Sequence, residues 1–133
     1  YVAGSKEEYA KDSNVVPPSS ASALEWYDKA LTYSGLLAPE KQLLIIDKGA
    51  AFEIQKKWDD ALTQYQSGID AGPTYKALGL LNLARVTELK GDKAKAIETF
   101  EKVSTDFAST EYGRIARNHV RRLKSSFLNE SKS

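Results

Sequence analysis

A self-repeat at a spacing of 35 residues constrains this chain more than any other feature. Trp58-Asp59-Asp60-Ala61-Leu62-Thr63-Gln64-Tyr65-Gln66-Ser67-Gly68 aligns with Lys93-Ala94-Lys95-Ala96-Ile97-Glu98-Thr99-Phe100-Glu101-Lys102-Val103. Ala61 falls on Ala96 and Tyr65 on Phe100. Upstream, Ile45 falls on Leu80, Gly49 on Ala84 and Lys56 on Gly91. Apolar residues recur at helical spacing on both sides of each Lys56-type break, so each repeat reads as two helices joined by a tight turn. Small residues at Gly49, Ala61, Ala84 and Ala96 let two backbones approach, and Tyr65 and Phe100 fill the space between them. Neither pair buries its apolar face alone, so the pairs are expected to stack.

The rest of the chain is read around that repeat. Residues 1–20 form a flexible lead-in or docked arm, broken by Pro17-Pro18, which cannot continue a helix. Ser22 with Glu25 is a capping-box pattern and opens a helix bearing Leu24, Tyr27 and Leu31. Pro39 sits where the first turn of the next helix tolerates it. That helix runs to about Gln55, and a third from Trp58 to Ala71 is stopped by Gly72-Pro73. Thr74 and Asp92 are the caps expected for the next two helices. Ser109 or Thr110 opens the last, which runs to about Phe127. No stretch alternates like a strand, so the class is all-α. The expected organisation is a single domain over 21–133: a partial unit at 21–37, units at 39–73 and 74–108, and a capping helix at 109–128.

Over residues 42–109 the chain resembles the tetratricopeptide repeat family. Gly91-Asp92-Lys93-Ala94-Lys95-Ala96-Ile97-Glu98-Thr99-Phe100-Glu101-Lys102-Val103 carries most of that likeness, and Ala23 to Ala30 is similar to the second helix of an earlier unit. Lys48 and Thr87 depart from the family's larger apolar residues, and Ala108 replaces its unit-ending proline. The stretch Phe100 to Tyr112, with Ala116 and Leu123, is similar to bacterial envelope members: outer-membrane assembly lipoproteins, the Tol–Pal-associated coordinator and the ancillary translocon subunit. The resemblance implies antiparallel helix pairs in a short right-handed solenoid with a C-terminal capping helix. It also implies a protein-interaction scaffold with no catalytic activity, and a preference for the bacterial periplasm or cell envelope.

Composition narrows the function classes. With 19 Lys and Arg against 18 Asp and Glu, the net charge is +1, which gives no whole-domain attraction to nucleic acid. There is no cysteine, hence no disulfide or thiolate metal site. Apolar runs fall far short of the ~18–20 residues of a membrane span, so membrane attachment is expected only through a segment outside this chain. The chain opens at Tyr1 and holds no Met, so a natural reading frame is expected to begin upstream.

By the resemblance, partners lie along a concave surface formed by the first helix of each unit. The residues expected there are Leu43, Ile46, Ala50 and Ile54, then Leu78, Leu81, Arg85 and Leu89, with Glu53 and Glu88 beside them. Members that clamp a C-terminal carboxylate present several Lys, Arg and Asn residues at this surface. Here only Arg85 and Asn82 are available, so that mode is rejected. An apolar groove instead suits an amphipathic helix or apolar peptide. The alternative is self-association: the groove covered by residues 1–37 or by a second copy, making the chain a homo-oligomerisation module of a larger, envelope-anchored protein. The last helix sets Arg114, Arg117, Arg121 and Lys124 on one face, readable as a basic surface for an acidic partner or as a solvated capping helix. His119, the sole histidine, has no neighbour suited to metal or proton transfer and reads as a half-buried structural residue. No catalytic, cofactor or metal site is expected.

Overall fold

In the computed structural model, which describes residues 20–132, six helices follow one another and no strand occurs among the described residues. The expected arm at 1–20 lies almost wholly outside them. The helices are α1 (Ser20–Leu31), α2 (Ala38–Ile54), α3 (Trp58–Asp70), α4 (Lys76–Leu89), α5 (Lys93–Asp106) and α6 (Glu111–Lys132). The chain divides into two compact units, one ending at Tyr75 and one beginning at Lys76.

In the first unit α2 packs on α1 and on α3. The helix starts differ in part from expectation. α1 is helical from Ser20, where the described residues begin, so Ser22 and Glu25 lie within its first turns. α2 has Leu37 at its cap, whose side chain offers no acceptor. Glu40 makes up for half of this by accepting from the Leu37 backbone N–H at 2.8 Å. Leu44 and Ala51 of α2 and Ala23 and Ala30 of α1 are buried. Lys48 of α2, the residue that departs from the repeat pattern, reaches Asp28 of α1 at 2.6 Å. On the other side Tyr65 of α3 is fully buried and its hydroxyl donates to the Glu53 carboxylate of α2. Its ring lies where a side chain at 49 would begin: a Cβ there would stand 2.6 Å from Cε1. Glycine at 49 is what lets α2 and α3 close on that ring.

Gln42 is the other fixed point of this unit. It is 1% exposed, and every polar function of its amide facing the α3 terminus is used. Nε2 donates to the Gly68 carbonyl at 2.9 Å and to the Gly72 carbonyl at 2.6 Å. Oε1 accepts from the Tyr75 backbone N–H at 2.9 Å. The side chain thus supplements the 3.3 Å Ala71 bond to the Gly68 carbonyl near the end of α3, serves the Gly72 carbonyl just past it, and holds the turn through Pro73.

The second unit uses the same plan. α5 packs on α4, and α6 on α5 with a smaller contact to α4. Phe100, Ala84, Ala96, Val86 and Val103 are buried, with Ala116 and Leu123 from α6. Asp92 caps α5 through a 3.0 Å bond from the Lys95 N–H, and Thr110 caps α6 through one from Gly113 at 3.2 Å.

The turn inside each pair repeats bond for bond at the 35-residue spacing. Lys56 N–H reaches the Glu53 carbonyl and Gly91 N–H the Glu88 carbonyl, both at 2.8 Å. Lys57 N–H reaches Phe52 at 3.0 Å, and Asp92 N–H reaches Thr87 at 3.2 Å. Both turns close through a residue of positive φ, 59° at Lys56 and 99° at Gly91. This is a Schellman termination, whose cap residue sits in the left-handed region. Lys56 therefore adopts a backbone that Gly91 reaches without a Cβ penalty.

Candidate partner-binding faces

The exposed face of each first helix follows from what the other faces bury. In α2, Gln42, Ile46 and Gly49 turn toward α3: Gln42 bonds its last carbonyls, Ile46 lies against Gly68 and Gly49 against Tyr65. Lys48, with Leu44 and Ala51 in the same helical stripe, turns toward α1. At 100° per residue the stripe left between these two is Leu43, Asp47, Ala50 and Ile54, spaced four, three and four residues apart. Leu43 and Asp47 are half-buried, while Ala50 and Ile54 are exposed, Ile54 to 73%.

The same register in α4 holds Leu78, Asn82, Arg85 and Leu89. The first three are half-buried and Leu89 is 56% exposed. Ile54 and Leu89 are thus large aliphatic side chains left in solvent at matched positions, each the last residue of its helix. A scattered exposed aliphatic is ordinary; the same one in both copies of a repeat is a patterned feature.

Six of the eight residues expected at a groove lie on these stripes: Leu43, Ala50 and Ile54 in one unit, Leu78, Arg85 and Leu89 in the other. Ile46 does not. It is 2% exposed, and its Cγ1 sits 2.6 Å from where a Cβ on Gly68 would be. It belongs to the packing of α2 on α3 and is out of a partner's reach. Leu81 occupies the corresponding register in α4 and is half-buried. The stripes contain instead Asp47 and Asn82, one residue further on, which apolar periodicity passes over because neither is apolar. Asn82 Oδ1 accepts from Arg85 at 2.9 Å. Burial raises the Asp47 carboxyl above the ordinary carboxylate value, with the positive charge of the chain's N-terminal amine opposing it. Glu53 and Glu88, the matched glutamates, are engaged internally: Glu53 takes the Tyr65 hydroxyl, and Glu88 takes Arg122 in two bonds of 2.7 and 2.9 Å.

The four basic residues of α6 are all exposed and all hold local partners. Arg114 bonds Glu111, and Lys124 stands 3.5 Å from Glu101 of α5. Arg117 reaches the Ala108 carbonyl at 3.2 Å and Arg121 the Asn118 side chain at 2.7 Å. Beside them, Arg114, Ile115, Asn118, His119 and Arg122 line an open cleft of about 270 Å³. His119 is half-buried and stacks on Phe100, centroids 4.4 Å apart and planes 7° from parallel. Its Nδ1 lies 3.0 Å from an Arg122 amine. A guanidinium only donates, so Nδ1 is the acceptor and the ring is neutral in this contact. Burial first, then Arg122 and Arg85, hold the imidazole below its ordinary 6.5, with Glu88 opposing.

Among the described residues no group of three His, Cys, Asp or Glu side chains is placed to hold a metal ion. No described helix is long and apolar enough to cross a membrane. Compared with known proteins, the sequence matches no protein-family model and no curated protein.

Proposed function

We propose that this chain is a non-enzymatic interaction scaffold built of tetratricopeptide-type helix pairs, and that the first helix of each pair receives an amphipathic helix or apolar peptide. The observation that carries this reading is the matched exposure of Ile54 and Leu89 on stripes that also present Leu43 and Leu78. The repeated Schellman turns support the assignment of both pairs to one repeat type.

The test is direct binding of a fluorescein-labelled amphipathic peptide of about 18 residues, rich in leucine on one face, read by anisotropy. Fully burying an isoleucine or leucine contributes about 1.5–3 kcal/mol, so Ile54→Glu or Leu89→Glu is expected to weaken binding by tenfold or more. Binding unchanged by both substitutions refutes the reading. If light scattering shows concentration-dependent mass that the same substitutions abolish, and no peptide binds, the stripes serve self-association instead.

A further inference from the structure

We propose that the partner-facing stripe of the second unit continues from α4 onto α6 and selects a segment carrying one carboxylate side chain between its apolar residues. This rests on the scaffold reading and names the chemistry of the occupant. The stripe follows from what α6 buries. Ala116 and Leu123 turn toward α5 and are fully buried. One step of 100° round the helix, Ile115, His119, Arg122 and Ser126 recur at intervals of four, three and four residues, the intervals of Leu78, Asn82, Arg85 and Leu89 in α4. Arg122 bonds both carboxylate oxygens of Glu88, which ties this stripe to α4.

Cations converge where the two stripes meet. The cleft of about 270 Å³ is lined by Arg114, Ile115, Asn118, His119 and Arg122, with no carboxylate among those lining residues. Arg122, Glu88 and Arg85 all act on the imidazole, which its stacking on Phe100 fixes at the cleft wall. Glu88 and Glu111 engage Arg122 and Arg114 without exhausting them. A guanidinium carries five N–H groups, and bonds among the described residues take three from Arg122 and two from Arg114. Arg85 donates to the neutral Asn82 amide. The unit as a whole leans the same way: residues 76–133 hold 12 Lys and Arg against 7 Asp and Glu, whereas residues 1–75 hold 7 against 11. A near-neutral chain thus contains a basic second unit, and the charge complement of its cleft is an anion.

The neighbours of these cations say what carries that anion. Leu78 stands two turns before Arg85, Ile115 one turn before His119, and Leu89 one turn after Arg85. Apolar contacts on both sides of the charge suit an acid within an amphipathic segment. Its carboxylate accepts charge-assisted bonds from the guanidinium, which strengthen as the contact excludes water. A lysine at the same point would meet like charge.

The experiment uses the full chain and three labelled amphipathic peptides of about 18 residues, leucine-rich on one face, with one position between the leucines holding glutamate, glutamine or lysine. Glutamate is expected to bind more tightly than glutamine by about five- to tenfold at low salt, with lysine weakest. Arg122→Gln is expected to remove the glutamate preference, and Arg117→Gln, on another face of α6, to leave it intact. Glu88→Gln releases Arg122 and is expected to strengthen the glutamate peptide about a further twofold, a gain that misfolding cannot produce. The protein has one histidine, so its NMR titration reads the cleft directly: the glutamate peptide should move the midpoint upward and the glutamine peptide should not. Equal affinity for glutamate and glutamine, a preference that survives Arg122→Gln, or one lost equally in Arg117→Gln overturns the carboxylate site and leaves the scaffold reading standing. So does pelleting with phosphatidylserine-containing vesicles in the absence of any glutamate preference, which would assign the cations to a lipid surface. Failure of all three peptides to bind overturns both.

Discussion

Replacing Gln42 by methionine removes an amide and little else, because the two side chains are close in volume and leave no cavity. Three hydrogen bonds disappear: those to the Gly68 and Gly72 carbonyls and that from the Tyr75 N–H. The Gly68 carbonyl keeps a 3.3 Å turn bond from Ala71, so its loss is partial. Gly72 and Tyr75 lose their recorded partners outright. At about 1 kcal/mol net for each bond, and somewhat more where the stranded group stays dry, the sum is about 3 kcal/mol. Burying a thioether in place of an amide returns roughly 1 kcal/mol. The expected cost is therefore about 2 kcal/mol, or a fall of roughly 8–10 °C in Tm for a chain of this size. Urea unfolding followed by circular dichroism would read it as a lower midpoint at unchanged slope. Hydrogen exchange should show the Tyr75 amide losing protection before the α2 interior does. A cost under about 0.5 kcal/mol would mean that water replaces the glutamine amide and that the lock is not structural.

Ile46→Asp and Ile54→Asp separate core from surface on one helix. The first buries an unpaired carboxylate against Gly68 and should cost more than about 4 kcal/mol or prevent folding, while the second should change stability by less than about 1 kcal/mol; thermal melts of both decide it. Lys56→Gly should stabilise the first unit by up to about 1 kcal/mol by relieving the positive φ, and Gly91→Lys should cost the second a similar amount, read by urea midpoints. For His119 the folded imidazole is held below 6.5, so its contribution is fully present above that value and is lost as pH falls through the folded one. His119→Phe keeps a ring on Phe100 but cannot titrate, so wild type should lose more stability than this variant between about pH 7 and 5; parallel slopes would contradict the neutral Nδ1 contact.

The helix pairs were legible because their signal is periodic and duplicated. Gly49 lies against Tyr65, and their counterparts Ala84 and Phe100 at the 35-residue spacing are both fully buried, a small and large pairing that suits two crossing helices. The Lys56–Gly91 correspondence marked the turn, although nothing in a lysine announces a left-handed backbone. Gln42 was not legible, since its role depends on carbonyls about 26–30 residues away that only the folded chain brings near. On the α2 stripe proposed to receive a partner, the apolar pattern includes Leu43, Ala50 and Ile54 but also draws in Ile46, which is buried against α3 one step of 100° away from Asp47. An apolar residue on a first helix belongs to the pair or to a partner according to a rotation of less than one third of a turn, and periodicity alone resolves no finer. Asp47 and Asn82 escaped notice because a search for a groove by hydrophobicity skips its polar members.

The most direct test of the scaffold account is residue-resolved amide chemical-shift mapping as the leucine-rich peptide is titrated into the labelled protein. The account predicts that the largest shifts cluster at Leu43, Asp47, Ala50 and Ile54 and at Leu78, Asn82, Arg85 and Leu89, with Ile45 and Phe52 on the opposite side of α2 little changed. Shifts confined to Arg114, Arg117, Arg121 and Lys124 of α6, or no shifts at saturating peptide, would contradict it.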